Sequence, residues 1–286
     1  ALDSYSLYGA SYLNEWDIVY PIAGKFAKLL QPIVGNDSIA LRLFNVSLFL
    51  ILACIALYRR NEILAFAILL MSPQIWYVFS YFNGDAFPMF VSMLIAGILA
   101  SSRSIFNDRT RSALIRYGGL GVCLGLLVLS KKTFWAFGLF SIACAAWIEI
   151  AHYGRGRTAL TLISRNLGLL AVIVCVTAGP RIAYDLYING TPGQKSARLT
   201  DTAEALAAPI FKPSTSLKPS LNLRGKGTTF IELFKPPLNW GYFTATSAFG
   251  TYNYSTILSH RYYYRTIFAT FGLFLAYLLI VITIYG

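Results

Sequence analysis

The sequence predicts an all-α protein that crosses a membrane several times, and three observations lead to this fold class. Hydrophobic residues make up 56% of the chain, charged residues make up 13%, and the mean hydropathy is +0.58. The apolar residues are gathered into long runs. The basic residues are gathered mostly between those runs. A soluble core does not need this much apolar surface, whereas a bundle of membrane helices does.

Seven apolar runs predict the membrane helices. They occupy roughly residues 39–58, 62–80, 86–101, 117–130, 134–150, 166–180 and 266–285. Several are shorter than the about 20 residues that span hydrocarbon comfortably. We therefore expect either helices that continue into the neighbouring loops or a bundle that water approaches from one side. The chain is thereby divided into a first loop at 1–38, a bundle of six spans at 39–180, a long loop region at 181–265 and a further span at 266–286.

The basic residues of the loops alternate along the chain and predict which loops face the outside. The loops after the first, third and fifth runs carry nine arginines, whereas the loops between them carry only Lys131 and Lys132. Cytoplasmic loops are enriched in Lys and Arg, so the arginine-bearing loops are expected in the cytoplasm and the regions 1–38 and 181–265 outside. An external Ala1 leads us to expect a further helix before it, and the last run leads us to expect a chain that continues beyond Gly286.

The net charge bears on the expected partners of the protein, and the cysteines bear on the expected disulfides. A net charge of +12 would suggest nucleic acid in a soluble domain, but here the arginines lie beside lipid, so we expect no nucleic-acid partner. All the cysteines fall inside apolar runs and are expected to be small buried hydrophobic residues without disulfides: Cys54, Cys123, Cys144 and Cys175.

Two acidic residues stand out from the external acids, most of which, including Glu15 and Asp17, we expect to be solvated. Asp3 lies among aromatic residues in the first loop, and Asp85 lies in the segment SYFNGDAFPMF between two apolar runs. Asn83 and Asp85 could cap the helix that follows. Alternatively, they could point into a cavity that faces Asp3.

Two lysines follow a glycine-rich run on the side where lysine is disfavoured. Lys131 and Lys132 could be an anchoring pair that reaches the head groups, or they could bind a lipid phosphate at membrane depth. His260 and Arg261, which come before the last run, could contact the same phosphate.

The long loop region 181–265 combines prolines, amphipathic stretches and aromatic residues. The stretch TDTAEALAAPIF predicts short helices that lie on the bilayer surface. Trp240, Tyr242 and Tyr252 could form an interfacial aromatic belt or a surface on which sugar rings stack.

Several short motifs resemble the C-type (GT-C) membrane glycosyltransferases. They are DSYSLYGA at 3–10, YP at 20–21, GNDSIALRLFN at 35–45, SPQIWYVFSYFNGD at 72–85 and LSKKT at 129–133. The segment SAFGTY at 247–252 is similar to one bacterial family of GT-C-like polytopic proteins. The resemblance covers most of the chain and implies a GT-C-like helix bundle with external loops that carry short helices.

The resemblance also implies roles for particular residues. Asp3 would be the catalytic base or would orient the acceptor, Asp85 would help to hold a metal or the acceptor, and Lys131 would touch the polyprenyl phosphate of the donor. Ser4 stands where many members have a second acid, so it is left open whether a divalent cation is the cofactor. The implied enzyme transfers a sugar from a polyprenyl-phosphate donor to a glycan or lipid acceptor at the outer face of the bacterial inner membrane.

Two other classes of function fit the same layout. A polysaccharide polymerase or ligase has a similar large external loop region. A transporter or flippase of lipid-linked sugars would also place polar residues near the bilayer, but it should show interrupted helices repeated in two halves. The sequence contains no internal repeat, which favours the glycosyltransferase over the transporter.

Overall fold

In the computed structural model the described residues are 17–69, 73–154, 156–216, 227–236, 238 and 272, and the regular structure among them is helical. The chain divides into two compact units. The first contains residues 1–70 and 78–216, and the second contains residues 71–77 and 217–286. The predicted span at 266–286 lies outside the described residues, apart from residue 272.

The helices are numbered in chain order. They are α1 (Val19–Val34), α2 (Asp37–Tyr58), α3 (Glu62–Leu69), α4 (Pro73–Ser80), α5 (Ala86–Ala100), α6 (Ala113–Val128), α7 (Trp135–Tyr153), α8 (Arg157–Asn189), α9 (Pro192–Leu206) and α10 (Pro213–Ser216). Short 3-10 helices occur at Lys132–Phe134, Pro209–Phe211 and Ile231–Phe234.

Three of the described helical stretches are long and apolar enough to cross a membrane: Asp37–Tyr58, Lys132–Tyr153 and Arg157–Asn189. Two shorter apolar helices, α5 and α6, accompany them. Membrane helices and the all-helical class are therefore supported by the structure, whereas the number of passes, six across 39–180, stays a prediction.

The structure changes one of the predicted helix boundaries. Within the run at 62–80 it describes α3 over Glu62–Leu69 and α4 over Pro73–Ser80. The run at 166–180 belongs to α8, which has 33 residues and continues to Asn189. At 1.5 Å per residue α8 is about 50 Å long, more than the about 30 Å of a hydrocarbon core.

The first loop contains an amphipathic helix that the sequence did not predict. Val19, Ala23 and Ala27 recur every fourth residue of α1 and form its buried face. Lys25 and Lys28 lie among its exposed residues. Helix α1 ends at Gly35, whose φ of 66° requires the left-handed region that glycine adopts easily, and α2 begins two residues later.

Glycines let α6 and α8 pack closely. A Cβ atom added at Gly121 would lie 2.6 Å from Cγ2 of Ile173, and one added at Gly125 would lie 2.5 Å from Cβ of Thr177. These glycines are four residues apart and therefore share one face of α6. Small residues at this spacing let membrane helices approach each other.

Three arginines that the sequence assigned to loops lie within described helices. Arg116 is in α6 and is buried, and Arg157 and Arg165 are in the exposed surface of α8. The loops that carry the arginines are thus shorter than predicted. Two cysteines also depart from expectation, because Cys54 and Cys175 are exposed on the surface of the bundle. In an apolar helix such positions face lipid as readily as they face a core.

The helical part of the prediction for the region after 181 is confirmed where the structure describes it. Thr191 caps α9 by accepting a hydrogen bond from the backbone of Gln194, and α9 includes most of the stretch TDTAEALAAPIF. Lys195 of α9 contacts the buried Asp185 of α8, with 2.7 Å between Nζ and Oδ1. The α8–α9 corner is therefore held by an ion pair.

The described part of the second unit is small. Its 3-10 helix Ile231–Phe234 begins beside Thr229, whose backbone N–H donates to Oε2 of Glu232 at 2.6 Å. The rings of Phe230 and Phe234 pack edge to face, with their centroids 5.3 Å apart.

Candidate functional site at Asp85 and Lys131

Asp85 lies in the turn before α5. Its neighbour Asn83 caps this helix, so the carboxylate of Asp85 is available for other contacts. Oδ1 of Asn83 accepts hydrogen bonds from the backbone N–H groups of Asp85 and Ala86, at 2.8 and 3.0 Å. The side chain of Asp85 makes no capping hydrogen bond. Of the two roles that the sequence left open, capping is therefore performed by Asn83 alone, and Asp85 extends elsewhere.

A buried amide from α2 holds the turn in place. Asn45 is fully buried, and its Nδ2 atom donates to the carbonyl of Tyr81 at 2.6 Å and more weakly to the carbonyl of Val78 at 3.4 Å. Asn83 donates to the same carbonyl of Val78 at 2.6 Å. Buried amides that satisfy backbone carbonyls fix a loop conformation, because leaving them unpaired is costly. Asn45 thus positions the turn that carries Asp85.

Lys131 lies between α6 and the 3-10 helix Lys132–Phe134, in a second turn that is also tied down. Ser130 is buried, and its hydroxyl donates to the carbonyl of Leu126 at 2.8 Å. The backbone N–H of Ile18 donates to the carbonyl of Leu129 at 3.1 Å, which connects the start of α1 to this turn. Lys132 is exposed.

The two turns bring Asp85 and Lys131 into an ion pair. Nζ of Lys131 lies 2.8 Å from Oδ1 of Asp85, although the residues are 46 positions apart. The side chain of Lys131 is 34% exposed, and that of Asp85 is 43% exposed. A pair this open stabilises a fold by only about 0.2–1 kcal/mol, so the fold does not depend on it. The pair offers an accessible carboxylate and an accessible ammonium side by side.

Tyr20 of α1 completes the surroundings of the pair. A Cβ atom added at Gly84 would lie 2.7 Å from the hydroxyl oxygen of Tyr20 and 3.2 Å from Cε of Lys131. The tyrosine hydroxyl and the lysine stem therefore both approach the backbone of Gly84. The Tyr20 ring packs edge to face on Phe82, with the centroids 6.1 Å apart. The sequence analysis missed Tyr20, whose only signal was its place in the YP motif of the first loop.

Asp17 is not solvated, which corrects the expectation for this residue. It is 2% exposed, and its Oδ1 atom accepts from the backbone N–H of Val19 at 2.9 Å. A short acidic side chain that bonds the backbone two residues on forms a local turn, and this turn starts α1. The start of α1 is tied to Leu129, so Asp17 is buried with it.

The other predicted site residues lie outside the described residues: Asp3, Glu15, Trp240, Tyr242, Tyr252, His260 and Arg261. Their roles stay predictions.

A divalent cation does not fit the described part of the site. In the part of the chain that the structure describes, no group of three or more His, Cys, Asp or Glu residues could hold a metal ion. At Asp85 the ammonium of Lys131 already lies where a cation would bind the carboxylate.

Comparison of the chain with protein-family models, with curated proteins and with solved structures found no match.

Proposed function

We propose that the protein is a membrane glycosyltransferase that moves a sugar from a polyprenyl-phosphate donor to a glycan or lipid acceptor. The observation that carries this proposal is the contact between Asp85 and Lys131, 2.8 Å from Oδ1 to Nζ. Each residue belongs to one of the motifs that resemble GT-C enzymes. A functional site built from these motifs requires them to meet, and they do so across 46 positions of sequence.

Lys131 supplies the charge that the departing phosphate needs. Its ammonium has three hydrogen-bond donors, and the contact with Asp85 uses one of them. The remaining donors can bind a phosphate oxygen while the pair persists. Stabilising the negative charge that develops on a leaving group is commonly the largest contribution to catalysis. Lys132, which follows directly, and the predicted partners His260 and Arg261 add to the same anion site in this proposal.

Asp85 acts on the acceptor in the same proposal. An unactivated alcohol is a poor nucleophile, so the acceptor hydroxyl needs a base and a hydrogen-bond acceptor that orients it. Asp85 orients the hydroxyl, and Asp3 removes the proton. Trp240, Tyr242 and Tyr252 stack on the sugar rings of the substrates.

The site belongs at the outer face of the bacterial inner membrane in this proposal. The bundle that carries it includes helices of membrane-crossing length, and the arginine-rich loops, which the charge bias assigns to the cytoplasm, lie at the opposite ends of these helices. The reaction would then contribute to the assembly of a cell-surface glycan from lipid-linked sugars.

The proposal is tested by incubating the purified protein with labelled polyprenyl-phosphate sugars and a membrane extract that supplies acceptors. We expect polyprenyl phosphate to be released as the sugar is transferred. The variant Asp85→Asn should lower the rate by about 10²-fold or more, the effect of losing a positioned carboxylate. Asp201→Asn, which changes an exposed acid on α9, is the matched control and should leave the rate unchanged.

Two outcomes would redirect the assignment. Movement of the intact lipid-linked sugar across the membrane without release of polyprenyl phosphate would indicate a transporter or flippase. Repeated addition to a growing chain would indicate a polymerase. Equal rates for Asp85→Asn and the wild type would remove Asp85 from the site.

A further inference from the structure

A cavity lies at the end of the bundle opposite Asp85, between α2, α3, α5, α6 and the loop that follows α5. Its volume is about 260 Å³. Leu94, Ile98 and Leu120 are among the apolar residues that line it, whereas Arg59, Arg103 and Arg116 are the charged residues of its wall. An apolar cavity with several cations and no acid in its lining is selective for a ligand with an apolar part and an anionic group.

One of these arginines is held by a buried cluster that carries excess positive charge. Glu149 is fully buried and accepts hydrogen bonds from Nη2 of Arg116 at 2.6 Å, from Arg109, and from Nδ2 of Asn166 at 3.1 Å. Nε of Arg116 also donates to the carbonyl of Phe106 at 2.9 Å. The cluster therefore contains two guanidinium groups for one carboxylate. Arg116 is fixed in place, and its charge is only partly neutralised at the cavity wall.

The other two arginines are available to a ligand. Arg59 and Arg103 are both exposed, and neither has an acidic side chain within 4.0 Å among the described residues. The guanidinium of Arg59 lies 5.7 Å from the ring of the adjacent Tyr58. The nearby acid Glu62 is engaged elsewhere, because its carboxylate accepts hydrogen bonds from Ser101 and Ser102.

We propose that this cavity binds the head group of an anionic phospholipid, with its phosphate on Arg59 and Arg103. Guanidinium groups bind phosphate oxygens through paired, charge-assisted hydrogen bonds. The apolar wall accommodates the first part of the lipid that follows the phosphate. Cavities for drug-sized ligands measure about 300–1,000 Å³, so 260 Å³ suits a head group whose acyl chains stay in the bilayer. Basic pockets between membrane helices are typical sites for anionic lipids.

The chemistry recognised is a phosphate group, which a phospholipid or a free phosphate ion could supply. Native mass spectrometry of the full chain in detergent separates these sources. The three arms contain added phosphatidylglycerol, zwitterionic phosphatidylcholine or inorganic phosphate. We expect retention of phosphatidylglycerol only. Equal retention of phosphatidylcholine, or binding of inorganic phosphate as strong as that of phosphatidylglycerol, would overturn the proposal.

Two arginine substitutions test the phosphate contacts. Arg59→Gln with Arg103→Gln should weaken phosphatidylglycerol binding by about 100-fold or more, since losing one charged hydrogen-bonded contact to the phosphate weakens binding by about tenfold or more. Arg157→Gln with Arg165→Gln is the matched control, because it removes the same charge from the exposed surface of α8 without touching the cavity. Equal losses in the two double variants would mean general attraction to anionic lipid, which contradicts a site.

A second pair of variants tests the cavity without changing any charge. Gly119 lines the cavity, and a Cβ atom added there would meet only Cδ1 of Ile98, at 4.0 Å. Gly119→Leu should therefore fill the cavity and abolish lipid retention in a folded protein. Gly118→Leu is the control, since a Cβ atom there has no neighbour within 4 Å and the residue does not line the cavity. Normal retention in Gly119→Leu would overturn the proposal.

Discussion

At the scale of single residues, two neighbouring side chains at the candidate site make different contacts. Asn83 and Asp85 are two positions apart and chemically similar, yet Asn83 caps α5 and Asp85 contacts Lys131. The amide is suited to the turn because its nitrogen also donates to the carbonyls of Val78 and Tyr81, which a carboxylate cannot do. Because Asn83 makes the capping hydrogen bonds, the carboxylate of Asp85 is left to contact Lys131.

Lys131→Ala should separate a functional role from a structural one. Losing one charged contact to a bound phosphate costs about 1.5–3 kcal/mol, so we expect the apparent affinity for a polyprenyl-phosphate donor to fall by about tenfold to hundredfold. Thermal unfolding of the purified variant should change little, because the pair is partly exposed and contributes at most about 1 kcal/mol.

The matched control for this prediction is Lys25→Ala, which removes an exposed lysine from α1. It should leave donor affinity as it is in the wild type. If Lys131→Ala binds and uses the donor normally, the two lysines serve only as anchors at the head groups.

At the scale of elements, the contact between α6 and α8 depends on glycine. The Cβ atom of an alanine at 125 would lie 2.5 Å from Cβ of Thr177, which is too close to a branched carbon for rotation of a side chain to relieve. One helix must therefore move. Since α6 ends next to Lys131, such a movement would also reach the candidate site.

Gly125→Ala should lower the free energy of unfolding by about 1–3 kcal/mol, the usual cost of overpacking. Reversible unfolding in mixed detergent measures this change. Gly168→Ala is the control in α8, where an added Cβ has no neighbour within 4 Å. It should be neutral or stabilising, because alanine favours a helix more than glycine does. Equal stability of Gly125→Ala and the wild type would show that the helices are not in tight contact at this point.

At the scale of the whole molecule, the described helices place the arginine-bearing loops at one set of helix ends and the turns of Asp85 and Lys131 at the other. Arg59 and Arg103 follow the last turns of α2 and α5, whereas Asp85 precedes α5 and Lys131 follows α6. The arginine-rich and arginine-poor loops, which alternate along the sequence, therefore also lie at opposite ends of the helices within the first unit. The prediction is that the arginine end faces the cytoplasm.

Cysteine labelling in intact cells tests this topology. In a background without the native cysteines, Thr215→Cys should react with a membrane-impermeant maleimide and Ser112→Cys should react only after permeabilisation. Ser112 is preferable to its neighbour Asn107, because it is exposed and its side chain makes no capping hydrogen bond, whereas Asn107 donates to the carbonyls of Leu99 and Ser101. Labelling of position 112 but not 215 in intact cells would reverse the topology and move the proposed site to the cytoplasm.

The sequence by itself determined the helical class and the presence of membrane-length apolar helices. It also singled out Asp85 and Lys131 as exceptions to the apolar pattern, and their role in function stays a prediction. These features are local: hydrophobic runs, proline at a helix start and charges between runs act over a few residues, so they can be read in order. The extension of α8 to Asn189 was missed because polar residues do not necessarily end a helix.

Only the tertiary structure decided which distant residues meet. Asp85 contacts Lys131, Asn45 holds the turn of Asp85, and Glu149 joins arginines from elsewhere in the chain. Asp17, which the sequence predicted to be solvated, is buried because the packing of α1 encloses it and the backbone N–H of Val19 donates to it. Glu149 is buried where the packing of α6, α7 and α8 brings Arg116 and Asn166 to its carboxylate. A buried polar group is stable only when it contacts such partners, and these contacts depend on the packing of several helices at once.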